Sequence, residues 1–267
     1  MALIYNATFD KNTRKLSFED KAGNEIYSFT VPERGSVDDI TKPLTFKATQ
    51  DGSTVRLVND GSPYGAFQTS RDGGNTWTDY TLDTDITLNI GDEVSFRAKT
   101  NRTSAQDRYK NFYFMMTGKI EAWHNVMSLY RTNDFATYES VVSYAFYRLF
   151  NGCTSLVKAP ALPATTLAYY CYNQMFSGCQ SLTKAPELPA TTLRDYCYGG
   201  MFKGCQSLKE VRISATKDAS FALAQWLNNV SATGDFYCDP NATIFPKNDV
   251  SGIPAKWTRH NIADYPN

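Results

Sequence analysis

Phe150-Asn-Gly-Cys153-Thr-Ser-Leu156, Phe176-Ser-Gly-Cys179-Gln-Ser-Leu182 and Phe202-Lys-Gly-Cys205-Gln-Ser-Leu208 are the same phrase written three times, each a step of 26 residues from the last. Self-similarity at a fixed short period marks a solenoid, in which each unit buries its apolar side only against its neighbours. Around the phrase, each unit joins a helical or turn-like stretch (Tyr169-Tyr-Cys171-Tyr-Asn-Gln-Met-Phe176) to a short strand (Ser181-Leu-Thr-Lys-Ala-Pro186). A loop, Glu187-Leu-Pro-Ala-Thr-Thr-Leu193, leads onward. Pro160, Pro163, Pro186 and Pro189 confine the strand to a few residues, because proline cannot donate to a ladder.

A minimal stack of three needs both ends covered. Upstream, short apolar-alternating runs are separated by Gln50-Asp-Gly-Ser53, Arg71-Asp-Gly-Gly-Asn75 and Gly91-Asp92. Such runs with Asp/Gly turns predict an Ig-like β-sandwich over residues 36–130 that covers the first coil. Downstream, Asp218 followed by Phe221, Leu223, Trp226, Leu227 and Val230 has mostly helical spacing and predicts a capping helix over 218–230. Asp235-Phe-Tyr-Cys238 and Lys256-Trp-Thr258 read as closing strands. The fold class expected is mainly β with short helices. Its parts are an N-terminal β meander (1–35), the β-sandwich (36–130), a short leucine-rich-repeat solenoid (131–217) and a helix/strand C-terminal cap (218–267). The meander, with Lys21-Ala-Gly-Asn24 as one of its turns, is too small to stand alone and is read as an attachment or oligomerisation element. Pro32-Glu-Arg-Gly-Ser36 reads as a linker.

The composition excludes several function classes. Lys+Arg and Asp+Glu both number 27, so no charge excess points to nucleic acid or an anionic membrane. No apolar run is long enough to span a bilayer. The opening Met1-Ala-Leu-Ile-Tyr-Asn6 has neither a basic region nor a long apolar stretch and is not read as a secretory signal. Seventeen tyrosines and sixteen phenylalanines supply both a core and the residue type that binding surfaces favour.

Cys153, Cys179 and Cys205 recur at the period, as do Cys171 and Cys197. Neighbouring coils of a strand-containing stack lie about 4.8 Å apart, so bridges between them are geometrically allowed. Ala145, however, occupies the slot of Cys171 and Cys197, and a slot that accepts alanine is a packing slot. The cysteines are therefore read as reduced, buried apolar residues. No Cys-x-x-Cys pair exists and neither His124 nor His260 has a nearby cysteine, so no metal site is expected.

Ser70-Arg-Asp72-Gly-Gly74-Asn-Thr76-Trp77 resembles the Asp-box of sialidases and related propellers. One copy makes no propeller, and the box is a structural hairpin in which Asp72 satisfies the turn while Trp77 packs. Asp83 with Asp85 and Asp38 with Asp39 are read as solvated charges, with a calcium loop as the alternative. No nucleophile elbow, phosphate loop or zinc-protease motif is present. The chain is expected not to be an enzyme and to carry no cofactor; a carbohydrate-active enzyme is the remote alternative.

Between units, positions that stay fixed build the coil and positions that differ should face outward. That comparison points to Tyr169, Arg194 and Lys203, and with Tyr172 and Tyr198 as further aromatic anchors these form the candidate ligand-contact face. Residues 143–217 closely resemble the BspA-like leucine-rich repeats found on surface proteins of gut Bacteroidetes and in virion proteins of their phages. The resemblance implies adhesion or recognition. The absence of a visible leader directs the expectation to a phage virion protein, a head or tail fibre or decoration subunit. Residues 1–35 would hold it to other virion proteins, as a homo-oligomer with a trimer favoured. The repeats would contact a host surface glycan or protein, with no nucleic acid bound and no membrane inserted. The alternative is a bacterial cell-surface adhesin.

Overall fold

The computed structural model describes residues 6–10, 15–30, 38–61, 66–102, 111–248 and 251–265. It is mainly β, built from several small sheets. The chain separates into two compact units, Met1–Val37 and Asp38–Asn267.

In the first unit, β1 (Asn6–Asp10), β2 (Lys15–Glu19) and β3 (Glu25–Thr30) form an antiparallel meander. The β2–β3 turn is held by Asp20, whose Oδ1 accepts from the backbone N of Ala22 (2.8 Å) and of Asn24 (3.0 Å). The expected linker at 32–36 lies outside the described residues.

The second unit opens with β4 (Thr45–Ala48), β5 (Ser53–Asp60), β6 (Phe67–Ser70), β7 (Thr78–Tyr80), β8 (Ile86–Leu88), β9 (Glu93–Ala98), β10 (Asn111–Thr117) and β11 (Ile120–Trp123). These fall close to the eight runs read from the alternation. β10-β5-β8 make one sheet. The other has the order β12-β11-β4-β9-β6-β7, and its edge strand β12 (Leu156–Lys158) belongs to the first repeat. The two sheets pack through edge-on aromatic contacts: Phe46 and Phe96 of one lie 4.7 and 5.3 Å from Phe114 of the other.

The repeats stack in register, and the backbone shows how. Along each coil alternate residues donate in two directions. Phe150 N reaches Met175 O in the next coil (2.8 Å), while Leu149 N folds back on Phe146 O (3.2 Å). The pattern recurs with Phe176 N on Met201 O (2.9 Å) and Met175 N on Tyr172 O (3.1 Å). Each coil is thus a chain of tight turns, not a helix. Every fourth residue is left-handed: Tyr144, Arg148 and Gly152, then Tyr170, Gln174 and Gly178, then Tyr196, Gly200 and Gly204. The third position of each set is glycine, the residue for which that conformation carries no steric penalty.

The expected capping helix at 218–230 is not formed. Phe221, Gln225 and Asn229 are left-handed at the same four-residue interval, and Phe202 N and Gly204 N donate to Trp226 O and Asn228 O (both 2.9 Å). The segment is a fourth coil. A four-residue turn period sends two neighbours inward and two outward, so Ala222, Leu223, Trp226 and Leu227 are buried. That spacing is close enough to 3.6 to imitate a helix in sequence. Helical structure among the described residues is confined to two short 3₁₀ turns, Val126–Leu129 and Ile262–Asp264.

The strand side of the stack is interrupted by proline, as its sequence requires. Lys184 makes only an isolated bridge to Glu210. Where the third unit has Val211-Arg212 in place of Ala185-Pro186, a true strand appears. This is β13 (Glu210–Arg212), parallel to β14 (Asp235–Cys238), which pairs with β15 (Thr258–Asn261). Trp226 and Trp257 fill the space beneath these strands, 0 and 1 % exposed.

The core runs unbroken from the packed sheets into the coils. Phe150, Phe176 and Phe202 stack at 5.4 and 5.6 Å with rings 5° and 2° from parallel, and Phe114 of β10 extends the column by 5.4 Å. Beside it, the thiols of Cys153, Cys179 and Cys205 donate to the carbonyls of Phe114, Phe150 and Phe176 at 3.0–3.1 Å. All six cysteines are buried and free. Burial pushes Cys153, Cys197 and Cys205 up to about 12, so their thiolates are absent near neutrality. A disulfide reagent at pH 8 is expected to leave the folded protein unmodified and to titrate six thiols after guanidinium unfolding. Modification of any cysteine without loss of the folded signal would contradict this packing.

Candidate functional site

The left-handed turns turn one residue of every coil outward at the same azimuth. In four successive coils that residue is Tyr144, Tyr170, Tyr196 and Phe221. Their rings stack at 5.1, 4.5 and 5.1 Å, within 15° of parallel. Tyr169 stands edge-on to this row, 4.4 Å from Tyr170 and 5.9 Å from Tyr196, and Tyr147 lies 5.9 Å from Tyr144. Tyr169 is 43 % and Phe221 65 % exposed. Loss of hydration, with neighbouring phenols next in importance, pushes Tyr170 up to about 12. Tyr170 therefore stays uncharged at any ordinary pH.

One turn further along each coil runs a polar row. Arg148 Nε donates to Gln174 Oε1 (2.8 Å), and Lys203 Nζ donates to Gln225 Oε1 (2.8 Å). These pairs link side chains of neighbouring coils, so the face is aromatic along one edge and polar along the other. Aromatic rings that present amphipathic area at low entropic cost, beside adaptable amides and cations, are what recognition surfaces are built from.

Of the residues nominated from sequence, Tyr169, Arg194 and Lys203 are exposed. Tyr169 belongs to the aromatic row, Lys203 to the polar row, and Arg194 sits two residues before Tyr196. Tyr172 and Tyr198 are corrected: both are 1 % exposed and cannot contact a ligand. They follow the inward Cys171 and Cys197 and belong to the buried pair of each turn, stacked on one another at 6.0 Å beneath Phe146. Tyr144, Tyr147, Tyr170, Tyr196 and Phe221 were missed. Comparison of units sets aside positions that do not vary, and the tyrosine before each inward pair does not vary. The signal was the parity of the turn: with Cys171 and Tyr172 inward, Tyr170 must point out.

Of the acidic groups singled out from sequence, Asp38, Asp39, Asp72 and Asp85 are engaged within the fold. Asp72 accepts from Ser70 Oγ (2.6 Å), Thr76 Oγ1 (2.6 Å) and Thr76 N (2.9 Å), and these bonds hold it far below the usual carboxylate range. Asp85 pairs with Arg56 at 2.7 Å. Asp38 accepts from His124 N (2.7 Å) and pairs with Lys158 (2.8 Å), whose ammonium lies 3.6 Å over the Trp123 ring. Asp39 accepts from Thr41 Oγ1 at 2.6 Å. Among the described residues no three His, Cys, Asp or Glu side chains gather in a metal-binding group, and no helix is long and apolar enough to cross a membrane.

No family model matches the chain, and no curated protein or solved structure matches it.

The inward tyrosines carry a testable consequence. The Tyr172 hydroxyl is buried without a hydrogen-bond partner. An unmet buried hydroxyl costs about 1–3 kcal/mol. Tyr172→Phe is therefore expected to raise stability by about 1 kcal/mol in urea titration, whereas loss of the ring in Tyr172→Ala should cost about 3–5 kcal/mol. A Tyr172→Phe variant less stable than the parent would mean that the hydroxyl is satisfied.

Proposed function

We propose that this chain is a recognition protein of a phage virion, a head or tail fibre or decoration subunit, that presents the aromatic face of its coils to the host surface. In this reading the two packed sheets are an Ig-like β-sandwich. The stacked coils are a short leucine-rich-repeat solenoid of the BspA-like kind, and residues 1–35 fasten a homotrimer to other virion proteins. The face contacts a host glycan or protein.

The observation that carries the reading is the outward row Tyr144–Tyr170–Tyr196–Phe221 with Tyr169 beside it. A stack needs inward residues for its stability. Stacking between coils stabilises the outward rings, but it does not account for a row that ends in a phenylalanine nearly two-thirds exposed. Other features agree with a binding role. Asp72, Asp85 and Asp38 are engaged in a turn or in ion pairs, and the thiols are buried. The virion assignment rests on the resemblance of 143–217 to repeats found in such particles.

Two measurements test the proposal. Immunogold electron microscopy against this chain should label purified particles. Label confined to the bacterial envelope would support the adhesin reading instead, which uses the same face. For the face itself, Tyr169→Ser with Phe221→Ser should reduce binding of the full-length protein to host cells by tenfold or more, as expected for loss of aromatic hot spots worth about 1–2 kcal/mol or more. Both rings pack on neighbours of the row, so the double variant should lose about 1–3 kcal/mol of stability, and binding is compared at a temperature where both proteins are fully folded. Unchanged binding by that double variant would remove the aromatic row from the proposal.

A further inference from the structure

A second concave site lies away from the coil face, where the Asp-box hairpin meets the entrance to the repeats. A cavity of about 300 Å³ is lined by Thr41, Lys42, Gly74, Trp77, Arg97, Thr132 and Phe135, among others. The hairpin forms its wall. Trp77 is fixed by its indole N–H, which donates to Gly74 O at 2.9 Å. Asp72 is not part of the cavity, because its oxygens are spent inside the turn on Ser70 and Thr76.

Arg97 is a charged group of the cavity wall that no carboxylate among the described residues neutralises. It projects from β9 and is partly buried, with its guanidinium carbon 4.2 Å over the Trp77 ring. Its Nε and Nη2 both donate to Gln68 Oε1, at 3.0 and 2.8 Å. Gln68 is neutral. The carboxylate behind it, Asp79, is occupied by Gln68 Nε2 and Lys99. Among the described residues no carboxylate pairs with Arg97, and none lines the cavity, whereas Lys42 adds a second cation there. Arg97 is thus held by neutral groups only, and its positive charge is available to an anion entering the cavity. Loss of hydration lowers the Arg97 pKa, which agrees with an uncompensated charge.

With Nε held by Gln68, the edge of the fork left to a ligand is the one formed by Nη1 and Nη2. Two parallel N–H groups on that edge fit a planar carboxylate. Beside it, Thr132 is anchored by its backbone N on Asn101 Oδ1 (2.7 Å), and its buried hydroxyl has no partner. One rotamer step about its Cα–Cβ bond re-aims that hydroxyl. The remaining lining mixes the rings of Trp77 and Phe135 with the hydroxyl of Thr41 and the amide of Asn133. An apolar wall with a few convergent polar groups suits a sugar ring, and the volume suits one residue. We infer that this cavity binds the carboxylate-bearing sugar residue of an acidic glycan, with Arg97 holding the carboxylate.

Saturation-transfer NMR on the full-length protein tests this with glucuronic acid, N-acetylneuraminic acid, glucose and glucose 6-phosphate as probes. At least one of the two acids should be saturated, and glucose and glucose 6-phosphate should bind at least tenfold more weakly. Arg97→Gln should abolish the preference for the acid, and Thr132→Val should weaken it severalfold while raising stability slightly, each measured well below the variant's melting temperature because Arg97→Gln also loses the contacts to Trp77 and Gln68. The Tyr169→Ser, Phe221→Ser double variant should bind the acid as the parent does, which keeps this site separate from the coil face. Three results would overturn the inference: no saturation of either acid, equal binding of glucose or its phosphate, or an undiminished acid preference in the Arg97 or Thr132 variant.

Discussion

Every second backbone N–H of a coil is claimed by the next coil. Phe146, Arg148, Phe150 and Gly152 all donate to residues 25 positions later in the sequence. The intervening N–H groups can only turn back three residues. A continuous α-helix would keep all its donors for itself and leave neighbouring coils joined by side chains alone. The shared ladder therefore imposes the tight turns. Tight turns every four residues in turn impose the left-handed positions, at about 1–2 kcal/mol for each that is not glycine. Tyr144, Arg148, Tyr170, Gln174 and Tyr196 all carry that strain. It is offset by inward columns that repeat without a gap: Phe150–Phe176–Phe202, Phe146–Tyr172–Tyr198 and the three thiols on three carbonyls.

The same ladder explains why the packed sheets and the coils are one unit. β10 offers the first coil what every coil offers the next. Phe114 N donates to Leu149 O (2.8 Å), its carbonyl receives the Cys153 thiol, and its ring begins the phenylalanine column. On the opposite side β11 pairs in parallel with β12. The sheets thus act as the template for the first coil and not merely as a lid over it. At the far end the fourth coil keeps the backbone pattern while abandoning the repeat sequence, with a step shortened to 25 residues between Tyr196 and Phe221. Trp226 and Trp257 then close the core with their indole N–H groups satisfied by Gly252 O and Ser231 O.

Much of this was legible in the residues, for identifiable reasons. The strands at 45–123 follow from two-residue alternation punctuated by Asp-Gly turns, which is a local signal. The stacking of 150, 176 and 202 follows from identity at a fixed period. The fourth coil was not legible, because nothing in Phe221-Ala-Leu-Ala-Gln-Trp-Leu-Asn-Asn229 repeats the earlier phrase, and a four-residue rhythm reads as a helix unless the donors are known to be taken. The site was half legible. Exposure was inferred from variation, which finds Tyr169 and Lys203 but passes over Tyr170 and Tyr196. Tyr172 and Tyr198 enter as aromatic anchors and not through variation, and their aromatic character looks the same in sequence whether the turn faces in or out.

That last failure bears on how a stacked protein makes a surface. In a globular domain an outward residue is free to drift, so a constant residue suggests burial. In a stack, an outward residue also has its own copies above and below it at about 5 Å. A ring at that position gains contact from each neighbour, about 0.5–1.5 kcal/mol beyond its buried area for a well-placed pair. Constancy then reports stacking rather than enclosure. The consequence is a row that is ordered before any ligand arrives, because each ring is held by the next. Binding to such a row avoids much of the side-chain ordering that a flexible surface incurs. Phe221 is where the holding stops: one face rests on Tyr196, and nearly two-thirds of its surface is exposed to water. Contact with a partner removes the most apolar surface per residue at that end of the row, so the coil face is asymmetric in energy although it is nearly periodic in shape.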